Sequence, residues 1–512
     1  MMKKAAVITC VMVAVLASYV AGQGALSAGR AWAAVDGGGN EKAETPAPDS
    51  GNTAGAPGPR NYTIDVIALY GLYNRIFWSG NLTQSFDVFT YQLKSDFKRS
   101  GDFGYKNSSY YENVIGFTGE ADATPKWKIT PVVEINNESY GMFRNPFYSR
   151  EGKDRVSLKL KSEYQPMPTR WTVSLGGVYF NHRFESYLFP DPVAIRPYHA
   201  SDLYKVNAEV GWQYIWSASN SLSFGSKFVR YFYSTGADYD ISTANELVWN
   251  FNISEFLKFG LGPLYTYNRD GGHFVSGRIN VAAMNIKYFS ADASYLYELI
   301  PFIPEDLYSG RRYVRPDYGL YPGRGHHADL NLGIDYTRSS EDHFYLKKIR
   351  VRASGSFITN DRHYAFFSLP DHVQTHHQMK VRQVRARGEV AIGIAIYSSS
   401  LEVGGRYEFN RFFASDYVTY QPEHQAGGYL KLGVWRFEAE FSTSYRHRVR
   451  VSPFIDVTMG PAHTGSLSLQ FRVLESFFLY GRVDNLYNIR YSSVPGYPEQ
   501  GRTIIGGLRI LI

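Results

Sequence analysis

Two stretches of the chain carry histidines close enough to act together. His326 and His327 are adjacent, and His372, His376 and His377 form an H-x-x-x-H-H run. Neutral imidazole is a ligand for transition metals and for haem iron. Both runs fall in segments that read as long loops, 300–327 and 359–379. Neighbouring loops can offer such a face, and so can histidines that merely sit in water. No helix fixes their spacing, so no particular metal follows. Asp329 and Asp371 lie nearby, but no thiolate is available, because Cys10 is the only cysteine and sits at the extreme N-terminus. The 300–327 segment also carries Tyr308, Tyr313, Tyr318 and Tyr321. Their rings can stack on sugars or flat ligands, or pack the loop inward as a lid.

Fixed cations are the second chemical feature. Lys348, Arg350 and Arg352 alternate with Ile349, Val351 and Ala353, while Arg436, Arg446 and Arg448 share parity with Glu438 and Glu440, opposite Trp435, Phe437 and Phe441. On a membrane-spanning strand a lipid-facing Arg or Lys costs about 2–4 kcal/mol at the midplane. Such residues therefore belong on a wet inner face. There they draw anions in, or pair with carboxylates and brace a wide wall. Arg382, Arg385 and Arg387 add to this total without a clear facing. No G-x-S-x-G elbow and no H-E-x-x-H motif occurs. Gly260-Leu261-Gly262 lies in strand context, where glycine relieves crowding. The chain reads as a non-enzyme with no cofactor.

These residues need strands to position them. Val206, Ala208, Val210, Trp212, Tyr214 and Trp216 alternate with Asn207, Glu209, Gly211 and Gln213. The same period of two recurs at Val156–Leu160, Leu247–Ile253, Ala328–Tyr336 and Trp435–Phe441. Alternation this long fits strands with one greasy and one wet face. Aromatic residues make up 16% of the 512, with 41 Tyr and 47 Gly, yet mean hydropathy is −0.30. That composition suits aromatic belts around a polar interior. The chain past its N-terminal segment contains no apolar run long enough for a membrane helix.

Connections alternate in length. Short polar turns fall near 122–126, 166–169, 217–220, 254–257, 339–343, 397–400 and 474–476. Longer stretches fall near 95–110, 139–154, 183–204, 234–245, 269–277, 300–327, 359–379, 410–426, 447–463 and 486–502. Tight turns on one side and long loops on the other are the outer-membrane pattern. With residues 62–77 adding a last pair, the expectation is an all-β, transmembrane antiparallel β-barrel of about 20–22 strands with long extracellular loops. A soluble propeller would show a fixed repeat, and none is present.

Near the C-terminus Asn485-Leu486-Tyr487-Asn488 is followed by Tyr491, Gly496-Tyr497-Pro498 and Gly501-Arg502, then one last strand. This order resembles the end of the TonB-dependent receptors, outer-membrane barrels that import scarce nutrients. The resemblance covers roughly 477–512 and implies a receptor-type barrel. The last strand places Ile504, Leu508, Ile510 and Ile512 on one face, with Thr503 and Arg509 on the other. Gly507, Ile510 and Ile512 match a Gly-x-x-apolar-x-apolar barrel-insertion signal, with Ile512 where an aromatic is usual. Such a signal implies handling by the barrel-assembly machinery.

Lys3 and Lys4 precede an apolar stretch from Ala5 to Ala21 and an Ala31-Trp32-Ala33 cleavage site. Residues 1–33 therefore read as a secretory signal peptide. Residues 34–60 are rich in Gly, Pro and Ala, and read as a disordered periplasmic leader. That leaves 61–512 for the barrel. The family carries a folded plug between signal and barrel, and 34–60 leave no room for one. Without Lys3, Lys4 and Arg30 the 54 basic residues become 51 against 47 acidic, a net of +4. These charges are dispersed, which argues against nucleic acid.

The expected partners are outer-membrane lipid and lipopolysaccharide, with a separate plug subunit or TonB-type energy coupling. The expected function is passage of a solute, such as a nutrient or metal chelate, through a plugless receptor-like barrel in the outer membrane. The alternatives are a porin-like diffusion channel, or a barrel sheath around a plug or electron-carrier partner.

Overall fold

The computed structural model describes residues 62–512 other than 87, 103–108, 142–149, 186–197, 218, 234–240, 284–285, 301–320, 340–343, 369–373, 415–417, 453, 455 and 495–496. The signal and leader, 1–33 and 34–60, lie outside the described residues. The barrel opens with β1 (Tyr62–Gly71) and β2 (Arg75–Phe86), joined by a 3-10 turn at Leu72–Asn74. It continues through β3 (Phe89–Ser100), β4 (Tyr110–Thr124), β5 (Trp127–Gly141), β6 (Arg150–Tyr164), β7 (Thr169–Glu185) and β8 (Tyr198–Ser217). Then come β9 (Asn220–Tyr233), β10 (Ile241–Ser254), β11 (Leu257–Asn268), β12 (Gly272–Ala283), β13 (Phe289–Ile300) and β14 (Gly323–Thr337). The two longest strands follow, β15 (Phe344–Ser368) and β16 (Gln374–Ile396), and after them β17 (Ser399–Ala414), β18 (His424–Val434) and β19 (Phe437–Arg446). β20 (Val449–Arg450) with β21 (Thr458–Met459), and β24 (Ser492–Val494) with β25 (Tyr497–Pro498), are small ribbons inside connections. β22 (Ala462–Leu474), β23 (Phe477–Asp484) and β26 (Thr503–Leu511) complete the wall.

Twenty-two strands form one antiparallel sheet, each paired with its neighbours along the chain. β26 returns to β1, from Asp65↔Leu511 to Gly71↔Ile505, so the sheet closes. Ile64 and Ile512 exchange both backbone hydrogen bonds, at 2.9 Å each. Closure leaves no strand edge, the condition for crossing lipid with strands. The expected barrel, at the upper end of its strand range, is therefore present.

Connections at one end are tight, as at 125–126, 218–219, 255–256, 397–398, 435–436 and 475–476. The other end carries the long ones, including 301–322, 447–461 and 485–502. The expected long stretch at 269–277 is instead a three-residue turn, 269–271. Asn268 makes it possible. Its Oδ1 accepts from the backbone N–H of Asp270 and Gly271 at 3.0 and 3.1 Å, and Gly272 takes a positive φ of 69°.

Alternation sorts the side chains. Leu158 and Leu160 of β6, Leu175 of β7 and Val206 of β8 are all exposed on the outer face. Ser157, Lys159 and Lys161 take the opposite parity. At the tight-turn end the outer face carries Trp127, Trp171, Trp216, Trp249 and Tyr288. Ten residues separate outward His326 from outward Tyr336 on β14. That is about 33 Å of strand, or about 24 Å of height at a tilt near 45°, close to the apolar band of an outer-membrane barrel.

Candidate functional site

The lumen is lined by ion pairs, most of which run from strand to strand. Arg350 and Arg352 of β15 share Asp335 of β14, at 3.3 and 2.8 Å. The register makes this possible by setting Arg350 opposite Asp335 and Arg352 opposite Gly333. Lys348 reaches past Gly393 of β16 to Glu402 of β17 at 2.8 Å, and the Tyr429 hydroxyl donates to the same carboxylate at 2.7 Å. Lys431 joins Glu440 at 3.2 Å, and Arg387 joins Glu389 at 3.5 Å. Arg155–Glu134, Lys161–Glu163–Arg170 and Arg278–Glu246 continue the pattern elsewhere around the wall. Each cation named here holds a carboxylate, which is the bracing arrangement.

Not every expected lumenal cation is there. Arg446 faces in, but its Nη2 donates to the Ser492 carbonyl at 2.9 Å and so ties the last connection to the wall. Arg436 is corrected: it lies in the tight turn 435–436, over the Trp435 ring, and donates to the Val473 carbonyl. Arg448 is also corrected, since it stands exposed between β19 and β20, beyond the wall. Single-strand parity fails where a strand ends. Arg382 shares parity with outward Val390 and Ile392, whereas Arg385 and Arg387 face the lumen.

The histidines are likewise redistributed. His326 and His327 belong to β14, not to a loop, so they point to opposite faces. His326 is outside, accepting or donating to the Tyr295 hydroxyl at 2.7 Å through Nδ1, while His327 pairs with Asp329 at 3.1 Å. They cannot share a metal. His376 and His377 pair with Phe366 and Ala365 in the β15–β16 ladder, so they too belong to a strand and not to a loop. His372 lies outside the described residues, as do Tyr308, Tyr313 and Tyr318. Among the described residues no group of three or more His, Cys, Asp or Glu could hold a metal.

The C-terminal motif is structural. Asn485 takes a positive φ of 48°, and its Nδ2 donates to the carbonyls of Ile489 and Gln500, both at 2.8 Å. Its Oδ1 accepts from the Ile489 N–H at 3.1 Å. Asn488 Oδ1 accepts from the Arg502 N–H at 2.9 Å, while the Arg502 guanidinium grips the Leu486 carbonyl at 2.6 and 3.0 Å. Tyr487 packs on His463, and the Tyr491 carbonyl accepts from the Glu499 N–H. Gly501 stands against Asn488. Gly496 is outside the described residues, and Tyr497 and Pro498 form β25. The motif thus folds the last connection so that β26 arrives in register beside β23.

One group of charges escaped the sequence reading. Glu151 and His182 are buried on β6 and β7 at the long-loop end, 2.8 Å apart, with Lys153 at 3.0 Å from Glu151. Only the register, which pairs Lys153 with His182, brings them together. No sequence spacing signals it.

Comparison with solved structures matches this architecture. The copper transporter OprC superposes with a TM-score of 0.67 at 12% identity, covering 88% of this chain and 80% of that one. The FrpB iron transporter from Neisseria meningitidis gives 0.66 at 9% identity, covering 89% and 82%. The siderophore receptor PirA from Acinetobacter baumannii gives 0.65 at 10%, covering 89% and 81%. The chain has the barrel fold of the TonB-dependent receptors. At such identities the likeness concerns the fold alone. No family model and no curated protein matches the chain.

Proposed function

We propose that this receptor-like barrel passes a solute across the outer membrane through its lumen, and that the bore is narrowed by something other than its wall. The observation that carries this reading is a closed sheet around a charged, wet interior. Among the described residues the elements are wall strands, two small ribbons and one 3-10 turn. A sheet of 22 strands spaced about 4.8 Å apart and tilted about 40° spans roughly 40–45 Å between backbones. Left open, such a cylinder would leak. Loops folded inward or a separate plug subunit, with TonB-type energy coupling, would make it selective. The neighbours named for iron, copper and siderophores favour a metal chelate as cargo. Residues 1–33 serve as the export signal and 34–60 as the leader in this reading.

The same bore supports a second reading, a sheath around a plug or electron-carrier subunit. Purified full-length protein in a planar bilayer separates the two. Steady conductance from the chain alone supports a channel. A barrel that stays closed until a co-purified subunit is stripped supports the sheath. Recovery of the chain from the soluble periplasm would end both.

A further inference from the structure

On the outer face, near the long-loop end, a tyrosine hydroxyl meets a histidine Nδ1 four times, three times across a strand pair and once, at Tyr445 and His447, two residues apart. The hydroxyls of Tyr265, Tyr295, Tyr407 and Tyr445 lie 2.6, 2.7, 2.7 and 3.2 Å from Nδ1 of His273, His326, His424 and His447. His463 closes the series against Tyr487, with ring centroids 4.6 Å apart. Five of the 13 histidines therefore lie along one arc, four of them on wall strands from β12 to β22 and His447 just past the end of β19. In each of the four pairs the tyrosine engages the same ring nitrogen. That holds the ring in place and turns Nε2 into the atom that can meet a group outside the protein.

Their height is informative. His326 and His424 each stand about 24 Å above the last outward residue of their strand, by the ten-residue spacing to Tyr336 and Val434. That is the far edge of the apolar band, where headgroups begin. The tight-turn edge carries Trp, Phe and Tyr instead. Four residues beyond Tyr407 on the same face stands Arg411, 3.7 Å from Glu423, and Arg382 is opposite Phe413, so cations continue the arc upward. On the other side of the wall, at the long-loop end, Asn137, Asp154, Asn181 and Asp202 form one row across β5 to β8, joined by hydrogen bonds of 2.8 and 2.7 Å, and Arg183 of the same face is bound to Asp154.

We infer that the Tyr–His arc from β11 to β22 is a binding surface for the phosphate groups of lipopolysaccharide. Histidine suits the place. The ring is apolar enough to sit at the edge of the acyl region; where the tyrosine hydroxyl donates to Nδ1, the neutral ring carries its proton on Nε2 and can donate it to a phosphate oxygen, and the protonated ring donates from both nitrogens. The inference rests on the outer-membrane reading above.

The test compares wild type with a His273→Phe, His326→Phe, His424→Phe, His447→Phe variant, chosen because Phe keeps an aromatic ring in an aromatic belt. Both are reconstituted into phosphatidylcholine vesicles containing either lipid A or phosphatidylglycerol. Bound lipid is counted by native mass spectrometry after extraction, and folding is checked by the heat-dependent gel shift of a closed barrel. Wild type should retain lipid A in preference to phosphatidylglycerol, and the variant should lose that preference by roughly tenfold or more. Equal retention of both lipids by wild type, or undiminished lipid A on the folded variant, overturns the inference. Should the variant not fold, Tyr265→Phe, Tyr295→Phe, Tyr407→Phe and Tyr445→Phe together remove only hydroxyls. They should weaken lipid A retention, and no change would overturn the inference. Wild type found outside the outer membrane sinks the membrane reading as well. Wild type in that membrane, with lipid A unaffected in the variant, sinks this inference alone.

Discussion

Gly507 shows how one missing side chain decides whether the cylinder can close. A Cβ at this position would lie 1.9 Å from the Ala68 carbonyl oxygen, inside the β1 backbone. Even alanine must push the seam apart, at a cost of about 1–3 kcal/mol or more. Gly507→Ala should therefore lower the fraction of heat-resistant barrel in detergent, read as band shift on a gel; unchanged folding would show that the seam has slack. Two residues on, Arg509 meets Asp65 across the same seam with Nε at 3.0 Å and Nη2 at 2.9 Å, both side chains about one-fifth exposed. Removing Arg509 alone leaves Asp65 without its counter-charge. A double-mutant cycle with Arg509→Leu and Asp65→Leu should give a coupling of about 1–2 kcal/mol in urea unfolding from lipid. Additive losses would mean the pair does not hold the seam.

Individual strands carry charge in a pattern that only the register completes. Asp335 on β14 serves both Arg350 and Arg352 on β15, so Asp335→Asn leaves two cations in the lumen without their carboxylate. The expected result is a shift of reversal potential toward anion permeability in a salt gradient, with folding retained; no shift would place these residues away from the conducting path. Lys348, Arg350 and Arg352 were legible as lumenal because their strand alternates cleanly with Ile349, Val351 and Ala353. Their partners were not, since Asp335 and Glu402 lie on other strands and sequence spacing carries no register. The closed sheet was legible for the same reason, alternation plus the contrast of short and long connections. Strand ends were harder. β14 begins at Gly323 and β15 runs to Ser368, so strands extend into segments that read as loops. Beyond the lipid both faces meet polar surroundings, and the period-two signal that marks a strand fades while the ladder goes on. The histidines at 326, 327, 376 and 377 fell on the wrong side of that boundary. The short turn at 269–271 was hidden because one Asn side chain replaces a longer loop.

Among the described residues the β15–β16 hairpin reaches beyond its wall partners, and the two parts differ in how many neighbours a strand has. β15 pairs with β14 only up to Ile358, and β16 with β17 only as far as Val381, yet β15 and β16 pair with each other as far as Ser368 and Gln374. The top of this hairpin is a two-stranded ribbon standing past the closed sheet. In the wall each strand is bonded on both sides, and the cylinder exists only if every pair forms. A break at the seam must therefore be felt everywhere, whereas a break in the ribbon stays local. Proline tests this, because it removes a ladder donor and is tolerated only at edges. Leu508→Pro, in a strand paired to both Ala68 and Leu479, should abolish the heat-resistant barrel. Ala365→Pro, paired only with His377, should leave the barrel folded and its conductance intact. Equal damage from both substitutions would mean that the ribbon is part of the structure that closes the cylinder. Equal tolerance would mean that closure between β1 and β26 is not what holds it.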